Sequence, residues 1–371
     1  MARSKRYERS QASRTTQVGN GREKIMSFSI RNVTASMPSP PPCPNNNIHH
    51  HRRATFVYRL GMGALAIATG SSNTRLAIVM PWVKGAGEQL RIPPFFSFWV
   101  ASAARNAGLA DFLIFHGPGM RSLFFEKQPA MPPNIRFIEI ADFVELYRNK
   151  IEVKVPFTTS IIKDLKPAIG HVYSEYLQQY THWAFGDADV VYGDLRRFLT
   201  DDVINKHDVT TVISDHFCSK KYYTLWAGQL TVFKNNEWTR QLFRQVPKWQ
   251  VIFSRPKAVF FDERNMPAHV LSTSPERVAF VWGQLSDHRG ALRNSQIVWR
   301  DGRLLSLVAN QCVASEAALV HLSNLNHNKR LTGDLFLDRP SADSREFRLE
   351  LDGTRPWRWE NLSTPALSCA E

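Results

Sequence analysis

Residues 164–195, DLKPAIGHVYSEYLQQYTHWAFGDADVVYGDL, carry three successive textures. Apolar or aromatic residues at Ile169, Val172, Tyr173, Tyr176, Leu177 and Tyr180 recur at helical spacing, which predicts a helix over 164–180 laying one face on a sheet. HWAF, residues 182–185, reads as a short buried strand, and Gly186-Asp187-Ala188-Asp189 leaves its C-terminal end. Alternation along an extended chain sends Asp187 and Asp189 to the same side, with the small Ala188 between them. Two adjacent carboxylates repel and raise each other's pKa, so the pair asks for a cation. Mg2+ or Mn2+ answers it, taking one or two carboxylates and completing its shell with water and substrate phosphate oxygens. Gly186 is expected to let a bulky ligand approach the backbone. Exposed turns also contain Asp-x-Asp; the strand end is what favours the metal.

Upstream, the same alternation of strand and helix repeats. TRLAIVMPWVKG, residues 74–85, is an apolar run rich in β-formers. IPPFFSFWVASAARNAG opens a helix on proline and stops at Gly108. ADFLIFHG and NIRFIEIAD are two more strands, and DFVELYRNK a helix. The expectation is an α/β chain with a mostly parallel sheet flanked by helices, in which ligands sit outside the C-terminal ends of the strands. The loops after Met80, Phe115 and Ile140 are candidate walls. Downstream, QLTVFKNNEWTRQLFRQV reads as strand, turn and helix, with the Lys-Asn-Asn turn supplying amides near the cleft.

The net charge of +14 suggests a polyanion partner until it is located. Residues 1–53 hold ten Lys/Arg against two Asp/Glu, so eight of those charges fall in a Ser-, Pro- and Asn-rich leader that reads as disordered. The rest is ordinary, and nucleic acid is not called for. Four cysteines, Cys43, Cys218, Cys312 and Cys369, form no CxxC pair and indicate neither a zinc cage nor a disulfide framework; a single Cys218–Cys312 bridge stays open. Residues 54–72, ATFVYRLGMGALAIATGSS, have the basic flank, apolar centre and small-residue end of a signal or anchor. The uninterrupted run from Leu60 to Thr69 is shorter than the ~20 residues of a membrane span, so linker and transit peptide are the competing readings. Membrane association and a Golgi or secretory location follow from the first reading, a cytoplasmic or organellar one from the others. The sequons at Asn32 and Asn361 matter only in the first case.

Two chemistries use an Asp-x-Asp pair at a strand end. One holds a metal on the diphosphate of a sugar nucleotide. The other is the aspartyl-nucleophile phosphoryl transfer of haloacid-dehalogenase-like phosphatases, with Asp187 as nucleophile, Val191 in the last place of the motif and GDLFLD (333–338) as a distal acidic segment. In that family the nucleophile ends the first strand of the core, whereas about three strands precede it here. A non-catalytic binding module is the third reading.

The block from Asp164 to Leu199 resembles the centre of a family of unknown function assigned to GT-A-like glycosyltransferases. There an Asp-x-Lys-Pro segment leads by a helix to a tryptophan-containing strand, then Asp-x-Asp, then Gly-Asp/Asn-Leu. LAIVMPWVKG, PPFFSFWVASAARN, ADFLIFHG and MPPNIRFIEI are similar to its N-terminal half, and GQLTVFKNNEWTRQLF, FFDERNM and LVHLSNLNHNK to later segments, over residues 75–329. This chain departs from the pattern at Ala184, where glycine is usual, and in the looser spacing of HLSNLNHNK.

The resemblance implies a GT-A-like domain over 73–330; from Leu331 onward acids and bases mix with RPWRW without a clear period, and residues 331–371 read as a C-terminal extension that wraps the domain or is loose. The resemblance also implies Asp187 and Asp189 as the metal and diphosphate site, Pro81, Trp82 and Lys84 lining a nucleotide pocket, and Asp164 and Lys166 contacting a UDP- or GDP-sugar donor. The last two equally fit a helix cap and a surface lysine. His321, after the apolar run AALV, is implied as a third metal ligand, and Lys329 as a point charge on the diphosphate. Asp262 and Glu263, where FFDER ends an apolar run, are candidates for the base that deprotonates an acceptor hydroxyl in an inverting transfer. The acceptor is a glycan, protein or lipid. Trp226, Trp249 and Trp282 are core by default and otherwise stacking surfaces for acceptor sugars.

Overall fold

The computed structural model describes residues 75–83, 92, 96–127, 131–156, 161–213, 225–286, 295–308, 314–322, 346–350 and 358–360. The leader, residues 54–72, Lys84, Lys329, the GDLFLD segment and all four cysteines lie outside them. Among the described residues no helix is long and apolar enough to cross a membrane.

Strand β1 (Leu76–Trp82) owes its central place to composition: from Leu76 to Met80 every residue is buried. Ala77 and Val79 join one apolar cluster, Leu76, Ile78 and Met80 the other, as expected of a strand covered on both faces. It pairs in parallel with β2 (Ala110–His116), and β2 with β3 (Ile135–Glu139). The chain then returns, so that β4 (His182–Gly186) lies parallel to β1 on its other side. β5 (Val190–Tyr192) leaves this sheet; β6 (Val209–Ile213), β7 (Leu230–Lys234) and β8 (Val278–Trp282) complete it in the order β3-β2-β1-β4-β7-β6-β8. Only β7 is reversed. The result is the mixed α/β, mostly parallel sheet flanked by helices that the sequence predicts.

The helix predicted over 164–180 is corrected by the structure. In its place stand a short helix at Ile161–Leu165, a 3-10 turn at Lys166–Ala168, another short helix at Ile169–Val172 and a second 3-10 turn at Ser174–Leu177. Pro167 cannot continue a helix from the preceding turn, having no N–H and a ring that crowds the carbonyl four residues back. Most of the apolar stripe survives the break: Ile169, Val172, Tyr173, Leu177 and Tyr180 are buried, whereas Tyr176 is exposed. Gly170 is required by contact, because a Cβ there would lie 2.3 Å from the Trp183 ring. Trp183 in turn stacks on Phe233 at 4.2 Å.

A small second sheet joins β5 to β13 (Leu319–His321) and β9 (Gln284–Ser286). Five antiparallel strands make the third: β10 (Ser295–Arg300), β11 (Arg303–Val308), β12 (Ala314–Ala317), β14 (Glu346–Glu350) and β15 (Arg358–Glu360). Through β14 and β15 the segment after residue 331 thus contributes strands to the fold. Two polar clasps tie β5 down. Trp299 Nε1 donates to the Tyr192 carbonyl at 2.8 Å. The fully buried Asn106 side chain donates to Gly193 O and accepts from Leu195 N, both at 2.9 Å.

Candidate functional site

The strand order reverses direction between β1 and β4, and in open α/β sheets the crevice outside the C-terminal ends of two such strands is where ligands bind. Val79 lies opposite Phe185, so Pro81 and Asp187 each stand two residues further on, at the mouth of that crevice. Asp187 and Asp189 emerge there, and the antiparallel pairing of His321 with Val190 brings the imidazole alongside. One ligand atom from each of Asp187, Asp189 and His321 lies within 4.8 Å of the others. His321 Nε2 is 3.4 Å from Asp189 Oδ2, and the Leu322 N–H donates to the Asp189 carbonyl at 2.7 Å. Burial pushes the Asp189 carboxyl up, but the hydrogen bond and charge of His321, with the charge of Lys166, outweigh it and hold the group below its ordinary range.

Lys166 is the centre of the charged network. Its ammonium donates to Asp187 Oδ1 at 2.7 Å and to the Gly228 carbonyl at 2.6 Å, and stands 3.9 Å from Asp262 Oδ2. Burial alone would favour loss of its proton; the charges of Asp187 and Asp262 overcome that and raise its pKa. The surface-lysine reading therefore fails. Gly228, which opens the GQLTVF segment, is a site residue that the sequence reading did not single out: a Cβ on it would fall 2.3 Å from Glu263 Oε1, so glycine is what lets Glu263 lie across the backbone.

Several expectations are redirected. Asp164 was expected to touch a donor, but it is fully buried, and its two oxygens accept the N–H groups of Val259 at 2.7 Å and Phe261 at 2.8 Å. It is a clasp for the turn that carries Asp262 and Glu263, with Phe260 held between the two bonds at φ 61. Replacing it by asparagine leaves one acceptor oxygen for two N–H groups, the buried one of Phe261 and the half-buried one of Val259. Asp164→Asn is therefore expected to lose about 1–3 kcal/mol in denaturant unfolding; an unchanged midpoint would remove the clasp from the account.

Gly186 also departs from expectation. Its open face meets protein, not ligand, since a Cβ would lie 2.8 Å from Ile78 Cγ2 and 2.9 Å from the Tyr192 hydroxyl. Asp262, only 2 % exposed, faces Lys166 and is out of an acceptor's reach. Burial, then repulsion from Glu263 and Asp164, keep it well above the ordinary carboxyl range against the pull of Lys166. Of the expected base pair, half-buried Glu263 alone keeps an open side. Its pKa is raised too, first by burial and against the pull of Lys166, with Asp187 adding to the rise.

The Lys-Asn-Asn turn is not at the cleft. Because β7 runs backwards, Lys234 sits opposite His182 while Leu230 sits opposite Gly186, which puts Gly228 at the site and the turn at the far edge. There Asn235 donates to the Leu177 and Tyr180 carbonyls at 2.8 and 2.9 Å. Pro81 and Trp82 are half-buried at the crevice, Trp82 standing edge-on to Phe124 at 5.0 Å. Trp226 and Trp249 are core, whereas Trp282, at the C-terminal end of β8, is 47 % exposed.

The chain belongs to the family of unknown function DUF6625, which matches residues 87–337 and so spans the site from Asp164 to His321. Among solved structures it is similar to the galactosyltransferase LgtC in complex with donor and acceptor sugar analogues, at a TM-score of 0.37 and 12 % identity, over 67 % of this chain and 86 % of that one. An active-site mutant of LgtC gives a TM-score of 0.37 and 13 % identity over the same shares. No curated protein matches the sequence.

Proposed function

We propose that the chain is a divalent-cation-dependent glycosyltransferase that moves a sugar from a UDP- or GDP-sugar to a glycan, protein or lipid acceptor. The observation that carries the reading is the convergence of Asp187, Asp189 and His321 at the β1/β4 switch point. Two carboxylates and an imidazole are a donor set suited to Mn2+, and also acceptable to Mg2+. When bound, such an ion supplies charge neutralisation for a diphosphate leaving group. Asp187, Asp189 and His321 would hold it, and Lys166 fixes the orientation of Asp187. Pro81 and Trp82 form the β1 side of the donor crevice. With residues 54–72 as signal or anchor, the enzyme would work in the secretory pathway.

Glu263 is the group that would accept the proton of the acceptor hydroxyl in an inverting transfer. Glu263→Gln is expected to lower kcat by about 10²–10⁴-fold while leaving nucleotide binding in place. A base must be deprotonated to act. With the Glu263 pKa raised, the acid limb of the rate profile should lie above the ordinary carboxylate range, rising with pH and lost in the glutamine variant. A retaining enzyme would keep most of its rate in that variant.

The first test is thermal-shift or calorimetric titration with UDP and GDP, with and without Mn2+, on the wild type and Asp189→Asn. Stabilisation that requires both metal and Asp189 supports a transferase, and the preferred base narrows the donor. Binding of fluoroberyllate-type phosphate mimics with no nucleotide response would instead support the aspartyl phosphatase.

A further inference from the structure

Lys166 occupies an unusual position for a residue beside a dication site. Its ammonium is 2.7 Å from Asp187 Oδ1, one of the three groups that would hold the ion, and its side chain is only 9 % exposed. It cannot swing aside freely. Gly228 O holds it at 2.6 Å, and its nitrogen stands 5.7 Å from the Phe185 ring centroid. Its backbone lies between Pro167 and the Asp164 clasp on Val259 and Phe261.

The charge balance has a consequence. Asp187 and Asp189 bring two negative charges to the cation position, and His321 in its metal-binding form brings none. Lys166 cancels one of the two at contact distance, in a pocket that water screens poorly. A dication arriving alone meets that fixed like charge at contact distance from Asp187, and the sum over Asp187, Asp189, Lys166 and the ion is net positive. A dication arriving with a diphosphate does not, because the anion supplies the missing negative charge and faces both cations.

Resting on the nucleotide-sugar reading above, we propose that Lys166 couples the two ligands: it keeps the affinity for a bare dication low and makes cation and diphosphate bind as a unit. The site would then stay empty of metal until a nucleotide enters, and release of the nucleoside diphosphate would release the ion with it. By linkage, the factor by which UDP tightens Mn2+ equals the factor by which Mn2+ tightens UDP.

The test measures bound Mn2+ by electron paramagnetic resonance, with and without UDP, and needs no turnover. The wild type should bind Mn2+ at least about tenfold more tightly with UDP, within the usual range of coupling. Lys166→Met should tighten Mn2+ alone by about that factor and cut the coupling, while Lys166→Arg keeps the charge and the coupling. Should the methionine variant fail to fold by circular dichroism, Lys166→Gln, which is neutral but keeps N–H donors, takes its place. Wild-type coupling that persists in the neutral variant overturns the role of Lys166 and leaves the transferase reading standing. Absence of Mn2+ binding in the wild type with either UDP or GDP overturns both.

Discussion

Asp189→Asn is expected to abolish transfer while leaving the protein folded. The substitution keeps the size of the side chain and an acceptor oxygen for the contact with His321, 3.4 Å away, but removes the charge. Neutralising a leaving group through a metal is worth several kcal/mol, and each 1.36 kcal/mol is tenfold in rate, so a fall of at least about 10³-fold in kcat/KM is anticipated. Asp187→Asn should match that loss and add a second one. It deprives the buried Lys166 ammonium of its nearest counter-charge, and an uncompensated buried charge is strongly destabilising. A melting comparison separates the two variants: Asp189→Asn loses a carboxylate whose ionised form His321 and Lys166 favour and falls modestly, Asp187→Asn falls further. Equal melting temperatures would mean that Lys166 finds other compensation, with Asp262 at 3.9 Å the first place to look.

Gly193→Ala should act on the same centre from behind. A Cβ at this position would lie 2.3 Å from the Ala317 carbonyl and 3.1 Å from Leu304 Cβ. Gly193 N already donates to Ala318 O at 2.7 Å, so the new methyl must push backbone against backbone. Such overpacking typically costs about 1–3 kcal/mol. The side that yields is β12 and the start of β13, which carries His321. The variant should therefore lose stability and also Mn2+ affinity, by about tenfold or more, since displaced positioning groups typically cost that much. Gly170→Ala supplies the control: its Cβ clashes with the Trp183 ring, in the cluster on the other sheet face, and should cost comparable stability without moving His321. Equal metal affinities in the two variants would sever Gly193 from the site.

The alternation of strands and helices was readable because β1 and β2 are nearly unbroken apolar runs whose bounding loops carry Gly and Pro. Asp187 and Asp189 were readable for a local reason, the end of HWAF. What escaped depended on direction and distance. Nothing in QLTVFKNN says that β7 runs against its neighbours, and that reversal decides whether Gly228 or the Lys-Asn-Asn turn faces the crevice. Asp164 and Lys166 sit side by side in one motif yet serve different partners, the turn at Val259–Phe261 and the Asp187 carboxylate. Helical periodicity over 164–180 picked out the buried residues except Tyr176, which is exposed, and a proline broke the helix it implied. Asn106 has the look of any helix-terminal asparagine, although its side chain anchors Gly193 and Leu195.

The origin of His321 bears on how the protein comes into being. Asp187 and Asp189 follow β4, but the imidazole arrives on β13, after β5 through β12 have been made. During synthesis the seven strands of the large sheet leave the ribosome before the last ligand does, and domains begin folding from the N-terminal side. A nascent or prematurely terminated chain ending before Leu319 would hold both aspartates and Lys166 but not the third donor. On the metal-dependent reading proposed above, competence to capture the cation would arrive late, and a partly made chain would be spared binding a nucleotide that it could not use.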